Sequence, residues 1–137
     1  FIEDEPGDDE AAIKDAGIKP CDIQYINAHA TSTPVGDAKE AEAIYRIFGE
    51  NQPWVSSTKS MTGHEMWMGG ASEIIYSILM MKNGFIAPNI NFENPDEHST
   101  HLKIAADTQQ VSFDTFLSNA FGFGGTNSTL IVQDFNG

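Results

Sequence analysis

Apolar residues recur at Ala71, Ile74, Ile75, Ile78 and Leu79, the spacing of one face of an α-helix. Lys82-Asn83-Gly84 closes that helix, with a cation in the last turn and a glycine after it. A second stripe, Ala41, Ile44, Tyr45 and Phe48, predicts an earlier helix that Gly49 stops. Asp37 with Glu40 three residues on gives it a capping-box-like start. Residues 10–16 predict a short helix ending at Gly17. Residues 23–26 and 54–55 are β-branched or aromatic and predict short buried strands. Residues 116–118 and 129–132 predict two more, joined by a glycine-rich connection as a hairpin. Residues 85–103, broken by Pro88 and Pro95, read as loop. There is no internal repeat or low-complexity linker, and strands mixed with helices indicate the α/β class.

The length, 137 residues, is enough for one domain with its own core. Charge changes the picture more than composition does. Seven basic against 20 acidic residues give a net charge of −13. That argues against nucleic acid, whose binding depends on neutralising phosphates, and against an anionic membrane surface. Glu3, Asp4, Glu5, Asp8, Asp9 and Glu10 crowd the first ten residues and read as a solvated end. Cys21 is the single cysteine, so no intrachain disulfide forms. No run of about 18 apolar residues is present, and the acidic start lacks the basic region of a signal peptide. A cytoplasmic location is the default expectation. The chain starts at Phe1, not Met, and is read as a fragment, a processed form or a truncated piece.

Candidate chemistry lies after the predicted strands. His29 follows the first of them and precedes Thr31, Ser32 and Thr33, in the kind of loop that holds ligands in α/β folds. His64 is placed at or near the start of the long helix. The positive helix end disfavours imidazolium there, and a neutral ring donates one N–H to a forming anion. Lys59 lies five residues before it. Singly, each has a plain structural or surface reading. Gly122-Phe123-Gly124-Gly125 has neither dinucleotide nor P-loop spacing and reads first as a hairpin turn. His64-Glu65 is not a zinc-protease motif, because Met68 occupies the second histidine's place. His98 and His101 have no third ligand in view. Cys21, after Pro20, lacks a nucleophile elbow and reads as an inert thiol.

Taken together and in order, three runs resemble the β-ketoacyl-[acyl-carrier-protein] synthase family, and the elongating, fatty-acid-type members in particular. They are residues 27–37, with Asn27-Ala28-His29-Ala30-Thr31-Ser32-Thr33; residues 57–64, with Ser57-Thr58-Lys59 and His64; and residues 118–127, with Phe121-Gly122-Phe123-Gly124-Gly125-Thr126-Asn127. Residues 84–91 add to the likeness, which covers roughly residues 22–134. The resemblance implies most of the carboxyl-terminal half of a thiolase-like fold, a mixed sheet with packed helices. Residues 1–21 then form an acidic amino-terminal segment with a short helix, and residues 22–137 an incomplete ketosynthase domain. It implies decarboxylative Claisen condensation of a malonyl thioester carried on acyl carrier protein, with His29 and His64 as paired catalytic histidines and Lys59 as the active-site lysine held with Asp37 and Glu40. Thr31 and Thr33 would bind the phosphopantetheine arm. Phe123 would gate the acyl pocket, with Phe121 beside it. Glu73 and Asn119 would lie near a structural sodium or potassium ion. No other cofactor is required beyond the phosphopantetheine of the carrier protein. The implied partners are that carrier protein, the missing amino-terminal half and, when complete, a second copy in a homodimer.

The family's nucleophilic cysteine lies far upstream, and nothing here matches that segment. The chain would hold decarboxylation machinery without the acyl acceptor. The alternative is a non-catalytic interaction subunit pairing with a complete ketosynthase. A thiolase of degradation is disfavoured, because no thiolase-type cysteine stands near Gly124-Gly125. Ala30 replaces the more usual glycine, read as a mild change. Trp67 and Met68 are bulky where glycine and alanine are common, with Gly69 and Gly70 making room.

Overall fold

The computed structural model describes residues 6–135. Along the chain come α1 (Pro6–Ala16), β1 (Tyr25–Asn27), α2 (Pro34–Phe48), β2 (Trp54–Ser56), the one-turn α3 (Lys59–Thr62), α4 (Gly69–Asn83), β3 (Phe85–Ile86), β4 (Lys103–Ile104), β5 (Gln109–Gln110), β6 (Thr115–Gly122) and β7 (Thr126–Gln133). The main sheet has the order β4-β2-β1-β6-β7; all pairs are parallel except β6 with β7. It is the mixed sheet with packed helices that the sequence implies. The small strands β3 and β5 pair antiparallel beside it. No helix among the described residues is long and apolar enough to cross a membrane.

Alternation along the central strands divides the core in two. Ile26 and Ala28 of the β1 segment turn toward α1 and α2, where Ile13, Ile44 and Phe48 meet Val55 and Leu117. Tyr25 turns the other way, toward Met80 of α4 with Ile86, Phe113 and Phe116. Helices therefore cover both faces. The acidic start is only partly a solvated end: Asp9 is 3% exposed. Glu3, Asp4 and Glu5 lie outside the described residues.

Helix starts differ from the pattern-based reading. α2 begins at Pro34 after Thr33, three residues before the predicted cap. Pro34 supplies a helical φ at the first position. Asp37 lies within the first turn, where its Oδ1 accepts the Thr33 N–H at 3.3 Å. Glu40 does not complete a capping box; it is buried and turned to the β1 loop. Tyr45 leaves the predicted stripe for the surface and lies against His101. α4 begins at Gly69, so His64 stands five residues before it, in the stretch between α3 and a 3₁₀ turn (Met66–Met68). Gly84 ends α4 in the left-handed conformation, φ +69°, as the sequence predicts.

The stripe of α4 is split, with Ile74 and Ile78 packed against the core. Its buried face carries Ser72, Glu73, Ser77 and Met80, while Ile75 and Leu79 are 57% and 52% exposed. The polar side chains are tolerable inside because they are paired: Ser77 Oγ donates to the Glu73 carbonyl at 2.7 Å and accepts from Asn27 Nδ2 at 3.1 Å. The hairpin of β6 and β7 turns through Phe123-Gly124-Gly125, where Gly124 and Gly125 take φ +87° and +79°.

Candidate active site

The carboxyl ends of three neighbouring strands supply the site. His29 follows β1, Lys59 follows β2, and Phe121 lies near the end of β6. Ligand sites of α/β sheets form at such ends.

His29 is buried, 8% exposed, and its Nδ1 accepts the Phe121 N–H at 3.3 Å. His64 is exposed on the facing loop, and its Nδ1 accepts the Met66 N–H at 3.0 Å. A ring nitrogen that accepts carries no proton, so both neutral rings are protonated at Nε2. The ring centres are 5.9 Å apart and perpendicular. Phe121 packs edge-on to His29 at 5.4 Å. Burial first, then the charges of Lys59 and His64, push the His29 pKa down to about 4. No α-helix begins at His64, so a helix terminus does not act on its ring. Its tautomer is set by the local turn.

The His29 loop is held by one side chain. Glu40 accepts the His29 N–H on Oε1 and the Ala30 N–H on Oε2, each at 2.8 Å. Ala30 has φ +24° and Ser32 φ +64°. Alanine is disfavoured in that region, so replacing glycine there is more than a mild change. The carboxylate clamp holds the loop in a shape that glycine would adopt more easily.

Lys59 does not meet Asp37 and Glu40. It forms an ion pair with Glu73 of α4, and both side chains are almost fully buried. Glu40 is committed to the His29 loop and Asp37 to the start of α2, which leaves Glu73 as the carboxylate within reach. Burial raises the Glu73 pKa, while the hydrogen bond and charge of Lys59 act against that rise. Burial also raises the Asp37 pKa, opposed by hydrogen bonds from the backbone of Thr33, Ser32 and Thr31.

Glu73 and Asn119 have separate side-chain partners. Glu73 pairs with Lys59, whereas Asn119 is engaged with Glu40, Asp9 and Thr129. Glu73 Oε2 is buried without a hydrogen-bond partner, yet Asn119's side chain offers it nothing. No group of three or more His, Cys, Asp or Glu side chains that could hold a metal ion occurs among the described residues.

Two clefts share Thr31 and His64. One, of about 530 Å³, is lined by His29, His64, Thr31 and Thr33 on one side and by Met66, Trp67, Phe121 and Phe123 on the other. The second, of about 460 Å³, is more polar, with Lys59, Asp37 and Ser60 beside Thr31 and His64. Trp67 is fully exposed and Phe123 nearly so, so the bulk at Trp67 stands over the cleft mouth and needs no room from Gly69 and Gly70. Cys21 is exposed in the 3₁₀ turn before β1, at the opposite end of the sheet from His29.

Two residues of this site carry no role in the sequence reading. Asn27 links β1 to Thr58 and to Ser77 of α4; its place two residues before His29 in the first run is the signal that marks it. Asp9 reaches Asn119 and Thr129 across more than a hundred residues, and no local pattern announces that.

Comparison with known proteins agrees with this fold. Residues 9–93 match the family model "Beta-ketoacyl synthase, C-terminal domain". The chain is 51% identical over 111 residues to 3-oxoacyl-[acyl-carrier-protein] synthase 1 of Escherichia coli (strain K12), covering 81% of this chain and 27% of that protein. A β-ketoacyl synthase from Burkholderia phymatum STM815 superposes with a TM-score of 0.87 at 37% identity, over 93% of this chain and 31% of the other. AntDE:AntF, a type II PKS acyl-carrier protein in complex with its ketosynthase bound to the hexaketide, matches with a TM-score of 0.86 at 31% identity, over 92% and 31%. The fold is thus that of the thiolase-like ketosynthases. The chain belongs to the β-ketoacyl synthase family and carries its C-terminal domain. It spans less than a third of the length of these relatives.

Proposed function

We propose that this chain supplies the decarboxylation machinery of a 3-oxoacyl-[acyl-carrier-protein] synthase. The observation that carries the reading is the pair of imidazoles, each with Nδ1 accepting a backbone N–H and Nε2–H left to donate at one cleft. When a malonyl thioester loses CO₂, the electron pair of the broken C–C bond moves onto the thioester oxygen. Two preorganised donors stabilise that enolate without having to move. Its carbon then attacks an acyl thioester carbonyl, a C–C bond forms and the thiolate leaves.

The acyl thioester is held on a cysteine outside this chain, since Cys21 lies at the far end of the sheet. The Lys59–Glu73 pair fixes a buried charge beside the histidines. Thr31 and Thr33 offer hydroxyls in the cleft to the amides of a phosphopantetheine arm, and Phe123 stands at its mouth. An acyl carrier protein is the partner this arm implies, as the AntDE:AntF complex illustrates for its own ketosynthase.

The test pairs this chain with a cysteine-bearing amino-terminal ketosynthase segment and measures CO₂ release from malonyl-acyl-carrier-protein. His64→Ala should slow release about 100- to 1,000-fold, the loss typical of one oxyanion donor. A variant that decarboxylates at the parent rate would remove His64 from the proposed role.

A further inference from the structure

A continuous run of buried hydrogen bonds joins α1 to the His29 loop. Asp9 is 3% exposed, Asn119 1% and Glu40 4%. Thr129 Oγ1 lies 2.9 Å from Asp9 Oδ1 and 2.9 Å from Asn119 Oδ1. Asn119 Nδ2 donates to Glu40 Oε1 at 3.3 Å and to Asp9 Oδ2 at 3.5 Å. Glu40 in turn holds the His29 and Ala30 N–H groups.

The protons of this run can be counted. An ionised carboxylate and an amide oxygen are both acceptors, and the Thr129 hydroxyl has one proton to give. It cannot serve two acceptors at once. Turning the Asn119 amide over would set its oxygen against Glu40 and Asp9 together. A proton on Asp9 resolves the count: Asp9 donates to Thr129, and Thr129 donates to the Asn119 oxygen. The surroundings agree. Among the described residues, the charged group acting on Asp9 is Asp8 on α1, β6 and β7 offer neutral Asn119 and Thr129, and Glu40 on α2 is reached through Asn119. Burial raises the Asp9 pKa, opposed by the hydrogen bonds of Thr129 and Asn119 and aided by the charge of Asp8.

We propose that Asp9 is a positioning residue for His29, a protonated carboxyl that fixes Thr129 and Asn119 and, through Asn119 and Glu40, holds the His29–Ala30 backbone. The inference rests on the reading of His29 as an enolate donor. Ala30 sits at φ +24°, so the loop keeps its shape only while Glu40 is held. A donor displaced by about 1 Å costs on the order of 100-fold in rate. Asn in place of Asp9 offers the same donor to Thr129 and the same acceptor to Asn119, whereas alanine offers neither.

The experiment uses the chain paired with a cysteine-bearing amino-terminal ketosynthase segment, as parent, Asp9→Asn and Asp9→Ala. Amide hydrogen exchange is read at His29 and Ala30, with Ile26 and Leu117 of the central strands as internal references. Asp9→Ala should speed exchange at His29 and Ala30 about tenfold or more relative to the references. It should also lower kcat for CO₂ release about 100-fold. Asp9→Asn should match the parent in both. Unchanged exchange in Asp9→Ala, a uniform rise that includes the references, or an Asn variant as impaired as the alanine one would overturn the proposal. An expected exchange pattern in a complex whose parent form releases no CO₂ would support the relay and overturn the proposed function instead.

Discussion

His29 stays neutral because its ring is enclosed and its charged neighbour, Lys59, repels a second proton. Protonation would also place a proton on Nδ1, against the Phe121 N–H that it now accepts. The consequence for pH has a definite sign. The unfolded chain takes up a proton near the usual histidine value of about 6.5, and the folded chain does so only at about 4. The stability that His29 gives is therefore fully present above about 6.5 and declines as pH falls from there to about 4, below which it changes no further. Between pH 7 and pH 5 the paired protein should lose more thermal stability than its His29→Gln variant. Equal losses would contradict the assignment. The identities of both histidines were legible in the sequence because each belongs to a dense motif. Their tautomers were not, since these depend on which backbone N–H the fold brings to Nδ1. The partner of Lys59 was misjudged for the same kind of reason. The family motif ties the amine to Asp37 and Glu40, but α2 turns them to other work, and Glu73 on α4 is what meets the amine.

At the scale of elements, α4 shows how far periodicity reaches. The 3.6-residue pattern located the helix and Gly84 its end. It did not reveal that the sheet receives Ser72, Glu73 and Ser77 beside Ile74 and Ile78. Hydrophobicity alone cannot reveal that polar side chains on one face will be paired to Asn27 and Lys59. The central strands were found but placed one or two residues early or cut short, and the two-residue strands β3, β4 and β5 are too brief for any pattern. The exposed Ile75 and Leu79 give α4 a second apolar face, and such faces mark interfaces or aggregation. The chain alone should bind a hydrophobic dye strongly, self-associate and unfold over a broad temperature range. Replacing both residues in the combined variant Ile75→Glu, Leu79→Glu should reduce dye binding by about half or more. A monodisperse parent without dye binding would contradict this and mark the segment as self-sufficient.

For the whole molecule, one end of the sheet carries the chemistry and the other does not. His29, Lys59 and Phe121 gather where three parallel strands end, and Cys21 lies before β1 begins. Met66, Trp67 and Phe123 stand exposed around the same cleft, as a site completed by another surface would leave them. A charge of −13 opposes association of the chain alone without hiding that surface. Pairing with a cysteine-bearing segment should therefore stabilise it by mass action. The account's central claim is a division of labour: the two imidazoles decarboxylate, and a thiol outside this chain accepts the acyl group. The most direct measurement follows both steps in one paired complex bearing His29→Ala and His64→Ala together, using intact mass for acyl transfer from an acyl-carrier-protein thioester and CO₂ release for decarboxylation. The account predicts an acyl adduct on the partner segment to the parent's extent, none on Cys21, and CO₂ release reduced at least about 100-fold. Release at the parent rate, or a stable adduct on Cys21, would contradict it.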